Sequence, residues 1–254
     1  MKKILIVACA IALIVAVYIN CNYVWYSFCG FVNINAEDSE VVDYTLPVDF
    51  RVKRLKNLRK LQLRTDKNSD LSFLSDFHYL EDLKLFAVGG ESGYGCSLET
   101  LPEMPSVKSF AMFFYMNENL DSASIARLEN AEFVYLGVCN VCDYSFVSEM
   151  KNLKILDIQR LKPPSFSLNG EPVQGEYGKF DWSGLANSES LEKFYALSIE
   201  YDPVLLEALG KIPTLNYVDL DLLEENDYAC QWAEEMSEKG VTVVLNGVEY
   251  GKTS

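Results

Sequence analysis

One arrangement of apolar and variable positions recurs along most of the chain. Each copy has an apolar residue, two variable residues, a second apolar residue, one variable residue and a third apolar residue, as in Leu58, Leu61 and Leu63. Successive copies start 22, 27, 24, 22, 38, 24 and 26 residues apart, and all but one of these steps fall in the 20–29 residue range of short stacked repeats. The later copies start at Leu80, Val107, Ala131, Leu153, Leu191, Leu215 and Val241.

A second pattern marks the segments between these predicted strands. An acidic or hydroxyl residue stands ten positions before most strand starts, and apolar residues follow it at helical spacing. Asp and Ser are favoured N-caps because their side-chain oxygens accept hydrogen bonds from unpaired backbone N–H groups. Each unit is therefore predicted to run from a strand through a loop into a capped helix or helical turn. The residues concerned are Asp70, Ser97, Asp121, Asp143 and Asp181, and Asp202 before Pro203 fits the same role.

Together the two patterns resemble the leucine-rich repeat family, and the run from Asp70 to Leu85 is similar to the short repeats of internalin-type bacterial surface proteins. The resemblance implies an α/β solenoid at 48–250. It would have a parallel concave sheet of about seven or eight short strands, with helices or turns on the convex side. The family usually places Asn or Cys at the ninth repeat position, and here only Cys139 matches.

The resemblance also implies that the variable strand positions face out of the concave sheet and bind the ligand. Aromatic residues crowd these positions in the middle and later copies, and the charge changes from basic to acidic along the sheet. Exposed aromatic side chains contribute much of the energy of protein interfaces. A register slip of one residue would instead turn these side chains into the core. The candidate ligand-binding residues are Phe86, Phe113, Phe133, Tyr135, Tyr195, Tyr217, Lys60, Arg64, Asp219 and Asp221.

The 38-residue step contains an insertion at 161–180. Asn169-Gly170 within it is a strong tight-turn signal, so a hairpin-like excursion is predicted. Two interpretations stay open, a loop that takes part in recognition and a tolerated surface insertion.

The amino-terminal residues predict a membrane segment. Lys2 and Lys3 precede an unbroken apolar run at 4–19, and the next charged residue is Glu37. A spanning helix needs about 20 mostly apolar residues, and the positive-inside rule places the amino terminus in the cytoplasm.

We therefore expect an N-terminal transmembrane helix or signal anchor at 1–32, a linker at 33–47, and a repeat domain on the extracytoplasmic side. A cleaved signal peptide, which would leave a secreted domain, is an alternative. A lipid anchor at Cys21 and a buried core helix are two others.

Charge narrows the classes of partner. The chain of 254 residues has 37 acidic and 22 basic residues, with a formal net charge of −15. Nucleic-acid phosphates require a basic face, so no nucleic-acid partner is expected. The acidity is compatible with a basic partner.

Few residues suggest catalysis. His78 is the single histidine, which excludes a His-rich metal site, and neither a metal nor a cofactor is expected. Cys139-Asn-Val-Cys142 is the one motif with possible chemistry, because Cys-x-x-Cys pairs serve in thiol redox proteins. Cys139 already has a structural explanation at the repeat's Asn/Cys position.

The favoured hypothesis is a non-enzymatic, membrane-anchored protein that recognises a protein or cell-surface ligand on its concave sheet. The alternative is an acidic inhibitor or immunity-type protein that neutralises a basic enzyme or toxin. A thiol redox protein using Cys139 and Cys142 is a third hypothesis.

Overall fold

The computed structural model describes residues 58–66, 69–87, 97–113, 121–137, 139, 141, 143–159 and 180–251, together with six two-residue strands outside these ranges. The predicted membrane segment at 1–32, Cys142 and most of the insertion at 161–180 lie outside the described residues.

The strands are short and follow the predicted copies. In chain order they are β1 (Ser39–Glu40), β2 (Leu46–Pro47), β3 (Leu58–Thr65), β4 (Asp82–Ala87), β5 (Gly89–Gly90), β6 (Gly93–Tyr94), β7 (Ser109–Phe113), β8 (Phe133–Gly137), β9 (Ile155–Gln159), β10 (Ser167–Leu168), β11 (Glu171–Pro172), β12 (Lys193–Ile199), β13 (Tyr217–Leu222), β14 (Thr242–Leu245) and β15 (Val248–Tyr250).

Eight of these strands form a parallel sheet in chain order, one strand for each predicted copy. The order is β3, β4, β7, β8, β9, β12, β13 and β14. The two strands β1 and β2, which fall in the predicted linker at 33–47, pair in parallel with β3. Chain-order parallel pairing of 22–38-residue units is the arrangement of a leucine-rich-repeat-like solenoid.

Helical segments return the chain from one strand to the next. They are two 3-10 helices (Ser72–Asp76 and Ser122–Arg127), α1 (Phe146–Glu149), α2 (Ser183–Ala186), α3 (Pro203–Leu209) and α4 (Asp227–Glu238). Each buries apolar side chains, such as Leu74, Ile125 and Leu205, in the same core as the strand leucines. The molecule therefore has two layers, a parallel sheet and a layer of short helical turns.

Alternation along each strand separates core from surface. In β3, Leu61 and Leu63 are fully buried, whereas Lys60 and Arg64 are exposed. The same alternation holds in β4, β9 and β13 because successive strand residues point to opposite faces. In β7 and β8 the small residues Ala111 and Gly137 are also buried at alternate positions. We call the face that carries Lys60 and its register partners the outward face; it is the concave face of the prediction.

The predicted caps accept hydrogen bonds from the backbone N–H two positions later, at 2.8–3.2 Å. This holds for Asp70, Ser97, Asp143, Asp181 and Asp202. Only Asp202 is the N-cap of its helix. Asp70, Asp143 and Asp181 stand one or two residues before the N-cap, and Ser97 precedes a turn, so the predicted N-cap assignment is wrong at these four positions.

Asp121 stands at the N-cap position of its 3-10 helix but makes a different contact. Its carboxylate accepts a hydrogen bond from the Ser124 hydroxyl and none from the backbone of the following 3-10 helix. The sequence pattern also misses the cap of α4, where the Asn226 side chain accepts from the N–H groups of Tyr228 and Ala229.

The predicted hairpin in the insertion is confirmed. The strands β10 and β11 pair antiparallel, with Leu168 opposite Glu171, so Asn169 and Gly170 are the two residues between them. A second hairpin ends the sheet: β15 pairs antiparallel with β14 through Asn246 (φ 50°) and Gly247 (φ 78°), a turn that needs two left-handed residues. Among the helices described, none is long and apolar enough to span a membrane.

Candidate functional site

The parallel register aligns the outward side chains in three rows across the sheet. The first row is Lys60, Asp82, Ser109, Phe133, Ile155, Lys193 and Tyr217. The second row is Gln62, Lys84, Ala111, Tyr135, Asp157, Tyr195 and Asp219. The third row is Arg64, Phe86, Phe113, Gly137, Gln159, Leu197 and Asp221.

The ten candidate residues all lie in these rows. Lys60, Arg64 and Asp221 are exposed, and the other seven are half-buried, whereas the alternate strand positions are core residues. The assigned register is therefore right, and the structure brings these side chains together on one face.

Three aromatic rings form a continuous stack across β4, β7 and β8, which we call the aromatic stack. Phe86 and Phe113 lie nearly parallel, with ring centroids 4.4 Å apart and an interplanar angle of 3°. Tyr135 continues the stack, with its centroid 5.0 Å from that of Phe113. Offset and stacked rings in this distance range contribute energy beyond their buried area, and they form a rigid apolar surface.

Tyr135 belongs to the second row but reaches the third row because position 137 is glycine. A Cβ at Gly137 would lie 2.5 Å from Tyr135 Cε1 and 3.0 Å from Phe113 Cδ1. The absence of a side chain there leaves the space in which the Tyr135 ring lies beside Phe113. The Tyr135 hydroxyl then donates a 2.6 Å hydrogen bond to Gln159 Oε1 on the next strand.

Tyrosine and aspartate alternate beyond the stack, in a group that we call the tyrosine–aspartate patch (Asp157, Tyr195, Tyr217, Asp219 and Asp221). Tyr195 is in register with Asp157 on one side and Asp219 on the other. The Tyr195 and Tyr217 rings contact each other, with centroids 5.3 Å apart and an interplanar angle of 38°.

Burial and mutual repulsion raise the pKa values of the acidic and phenolic groups in this patch. Burial and then the Asp219 carboxylate raise the pKa of Asp157, and burial and then Asp221 raise the pKa of Asp219. Burial, Asp219 and Asp157 together raise the pKa of the Tyr195 phenol. Asp157 Oδ1 is inaccessible to solvent and has no hydrogen-bond partner among the described residues.

The opposite end of the outward face is basic. Lys60, Arg64 and Lys84 are aligned on β3 and β4, and Lys84 Nζ lies 3.8 Å from Asp82 Oδ2. The face therefore passes from basic through aromatic to acidic, which is the change of charge predicted from the sequence.

Two contributors were not among the predicted site residues. Gly137 directs the Tyr135 ring, and Asp157 supplies the carboxylate next to Tyr195. Both stand at variable strand positions, so the repeat pattern places them on the face. Nothing in the sequence distinguishes them from other variable positions, because their roles depend on neighbours one strand away.

Cys139 and His78 are two of the described residues that the sequence offers for redox or metal chemistry. Cys139 is buried and its Sγ donates to the Met112 carbonyl at 3.2 Å, as expected for the repeat's Asn/Cys position. His78 lies exposed in a turn that follows the 3-10 helix Ser72–Asp76. In the described part of the chain, no group of three His, Cys, Asp or Glu side chains could hold a metal ion.

Comparisons with known proteins show a similarity to a solved structure. No protein-family profile and no curated protein matches the chain. The chain is similar to the crystal structure of an internalin from Listeria monocytogenes, with 15% sequence identity and a TM-score of 0.39 over 77% of this chain. The matched region spans 63% of the length of that internalin structure.

Proposed function

We propose that this protein is a non-enzymatic recognition protein that binds a protein partner on the outward face of its parallel sheet. The observation that carries the proposal is the aromatic stack formed by Phe86, Phe113 and Tyr135. Aromatic side chains at the centre of a surface, flanked by charged groups, are the arrangement found in binding hot spots.

The aromatic rings on the outward face are not members of the buried core. The core has its own continuous ladder of buried residues, including Leu61, Leu83, Phe110 and Val134. Half-buried rings on the other face add apolar area that remains in contact with solvent, and binding of a partner would remove that area from water. Gly137 maintains the rings in a preformed surface, which lowers the entropic cost of binding.

We further propose that the domain acts on the extracytoplasmic side of a membrane, attached by the segment at 1–32. The support is the apolar run at 4–19 after Lys2 and Lys3. Protease added to intact cells should then digest the repeat domain, whereas digestion only after lysis would place the domain inside and contradict the assignment. Release of the domain into the medium would indicate signal-peptide cleavage instead.

Site-specific photo-crosslinking tests the proposed binding face. A photoreactive phenylalanine analogue in place of Phe113, in the full chain in its native membrane, should crosslink to a discrete partner. The same analogue in place of Tyr228, which is 72% exposed on α4, is the matched control and should not crosslink to that partner.

Affinity measurement with the purified partner completes the test. Phe86→Ala with Phe113→Ala should weaken binding at least about tenfold, because central aromatic residues dominate interface energies. Tyr79→Ala with Tyr228→Ala removes two aromatic rings that are 64% and 72% exposed and should leave the affinity unchanged. Equal affinities for both double variants would reject the outward face as the binding surface.

A further inference from the structure

The negative charge of the tyrosine–aspartate patch is not balanced by basic side chains among the described residues around it. No Lys or Arg side chain of the described residues forms an ion pair with Asp157, Asp219 or Asp221. Lys193 is the basic residue at the outward positions of β8 to β14, and it stands in the first row, beside Ile155 and Tyr217. The outward face therefore ends in a surface with a net negative charge.

Asp157 has a carboxylate oxygen that no donor of the described residues compensates. Its Oδ1 is inaccessible to solvent and accepts no hydrogen bond from the described residues. A carboxylate oxygen removed from water costs free energy unless a donor or cation compensates it. A second carboxylate, Asp219, acts on Asp157 from two strands away and adds repulsion.

Tyr195 stands between the two carboxylates in the second row, and its half-buried ring is part of the outward face. It is in register with Asp157 on β9 and with Asp219 on β13. Neighbouring strands are about 4.8 Å apart, so a cation above the Tyr195 ring would lie within reach of both carboxylates. Cations are attracted to the face of an aromatic ring, and Arg more often than Lys forms such contacts.

We propose that the partner inserts an arginine side chain into the tyrosine–aspartate patch, with its guanidinium above Tyr195 and between Asp157 and Asp219. This inference rests on the proposed recognition function and specifies its partner's chemistry. The guanidinium suits the site because it is planar, stacks on aromatic rings and presents donors in two directions, whereas an ammonium is a compact and strongly hydrated point charge. Charge-assisted hydrogen bonds to the two carboxylates fix its orientation.

The charge distribution also orients the partner. The basic end at β3 and β4 repels an arginine, and the aromatic stack separates that end from the acidic patch. The partner's arginine therefore lies over β9 to β13, and its apolar surface lies over β4 to β8. Such complementarity contributes mainly to specificity and association rate.

Peptide titrations of the full chain in detergent, followed by nuclear magnetic resonance, test the arginine site directly. The probes are two capped pentapeptides, Gly-Ser-Arg-Ser-Gly and Gly-Ser-Lys-Ser-Gly. The arginine peptide should shift the Tyr195 and Asp219 resonances saturably and bind at least about threefold more tightly than the lysine peptide. Equal binding of both peptides, or shifts distributed over the whole acidic surface, would overturn the assignment.

Charge-matched variants separate this site from general acidity. Asp157→Asn with Asp219→Asn should weaken binding of the arginine peptide about tenfold or more. Glu234→Gln with Glu238→Gln removes the same amount of negative charge from exposed positions of α4. This double variant should change the affinity for the arginine peptide less than twofold. Equal weakening by the two double variants would mean that the peptide responds to net charge, and the proposal would be rejected.

The same variants distinguish this inference from the proposed function. If the natural partner is lost by Phe86→Ala with Phe113→Ala but retained by Asp157→Asn with Asp219→Asn, recognition on the outward face stands and the arginine site is wrong. Loss of partner binding in both double variants supports both proposals. Unchanged partner binding in both double variants rejects both proposals.

Discussion

The ring of Tyr135 lies over Gly137, two residues later in the same strand. A Cβ at Gly137 would be 2.5 Å from Tyr135 Cε1 and 2.9 Å from the hydroxyl oxygen. This local relationship allows the ring to stack on Phe113 and its hydroxyl to donate to Gln159. The binding surface proposed here thus depends on a residue that has no side chain.

Gly137→Ala should disrupt the aromatic stack. The methyl group would displace the Tyr135 ring, remove its hydrogen bond to Gln159 and separate it from Phe113, at a cost of about 1–2 kcal/mol in the free energy of unfolding. Near-ultraviolet circular dichroism would report the ring movement, and urea unfolding the stability.

Tyr135→Phe is the matched control, because it removes the hydroxyl and keeps the ring. It should cost about 1 kcal/mol and leave the dichroism of the stack largely unchanged. If Gly137→Ala leaves the aromatic signal as in the wild-type protein, the glycine does not position Tyr135.

Gly184 and Gly210 form a pair with opposite expected effects. A Cβ at Gly184 would lie 2.1 Å from the Tyr144 backbone carbonyl oxygen, and backbone cannot move aside as a side-chain end can. Gly184→Ala should therefore destabilise the protein by about 2 kcal/mol or more, although alanine is the better helix former.

Gly210 has room for a side chain. Its backbone is right-handed helical (φ −64°, ψ −14°), and the atom nearest to an added Cβ is the Leu206 carbonyl oxygen at 3.4 Å. Gly210→Ala should be neutral or stabilise the protein by up to about 1 kcal/mol, because alanine restricts the unfolded chain. Urea unfolding of both variants checks the pair, and destabilisation by Gly210→Ala equal to that by Gly184→Ala would contradict it.

The sheet could be predicted because repeat spacing and strand alternation are local properties of the sequence. Leu58, Leu61 and Leu63 define the buried face of β3, and the following copies repeat the same spacing. The cap Asp202 of α3 could be predicted for the same reason, whereas the cap of α4 could not. That helix has 12 residues, so its cap Asn226 stands fifteen positions before Val241 rather than ten.

The arrangement of the outward face could be predicted only in part. The register assigns Tyr135, Asp157 and Tyr195 to one row, and that follows from the repeats. The direction of each side chain within the row depends on contacts between strands that are 22–38 residues apart in the sequence. Tyr135 leaves its row because of Gly137, and no periodicity encodes that displacement.

A hydrogen bond between repeats connects Trp182 to Asp202. Trp182 is buried, and its Nε1 donates to Asp202 Oδ2 at 2.8 Å, while Asp202 Oδ1 accepts from the N–H of Val204 and caps α3. Asp202→Ala should lower the free energy of unfolding by about 2–3 kcal/mol, since it removes a helix cap and leaves a buried donor unpaired.

Trp182→Phe separates the two contributions of Asp202. It removes the donor and keeps the cap, so Asp202→Ala in this background should cost only about 1 kcal/mol, the value of the cap. The double-mutant cycle can be measured by urea unfolding with circular dichroism. Additive effects of the two substitutions would show that the Trp182–Asp202 hydrogen bond contributes nothing.

The Asp157 carboxyl should contribute unfavourably to the free energy of folding at neutral pH, and less so in mild acid. Burial and the Asp219 carboxylate raise the pKa of Asp157 above its ordinary value, so the folded state binds this proton more tightly than the unfolded state does. At pH 7 the ionised carboxylate therefore opposes folding. That destabilisation is relieved as the pH falls from the raised pKa of the folded state towards the lower pKa of Asp157 in the unfolded state.

Asp157→Asn should accordingly increase the free energy of unfolding at pH 7, and its advantage over the wild-type protein should shrink as the pH approaches 4. Urea unfolding at several pH values measures both quantities. Glu234→Gln on the exposed face of α4 is the control for a change in net charge. A gain for Asp157→Asn that is independent of pH, or matched by Glu234→Gln, would show that Asp157 is not strained. A partner's arginine would then have no uncompensated carboxylate to neutralise at this position.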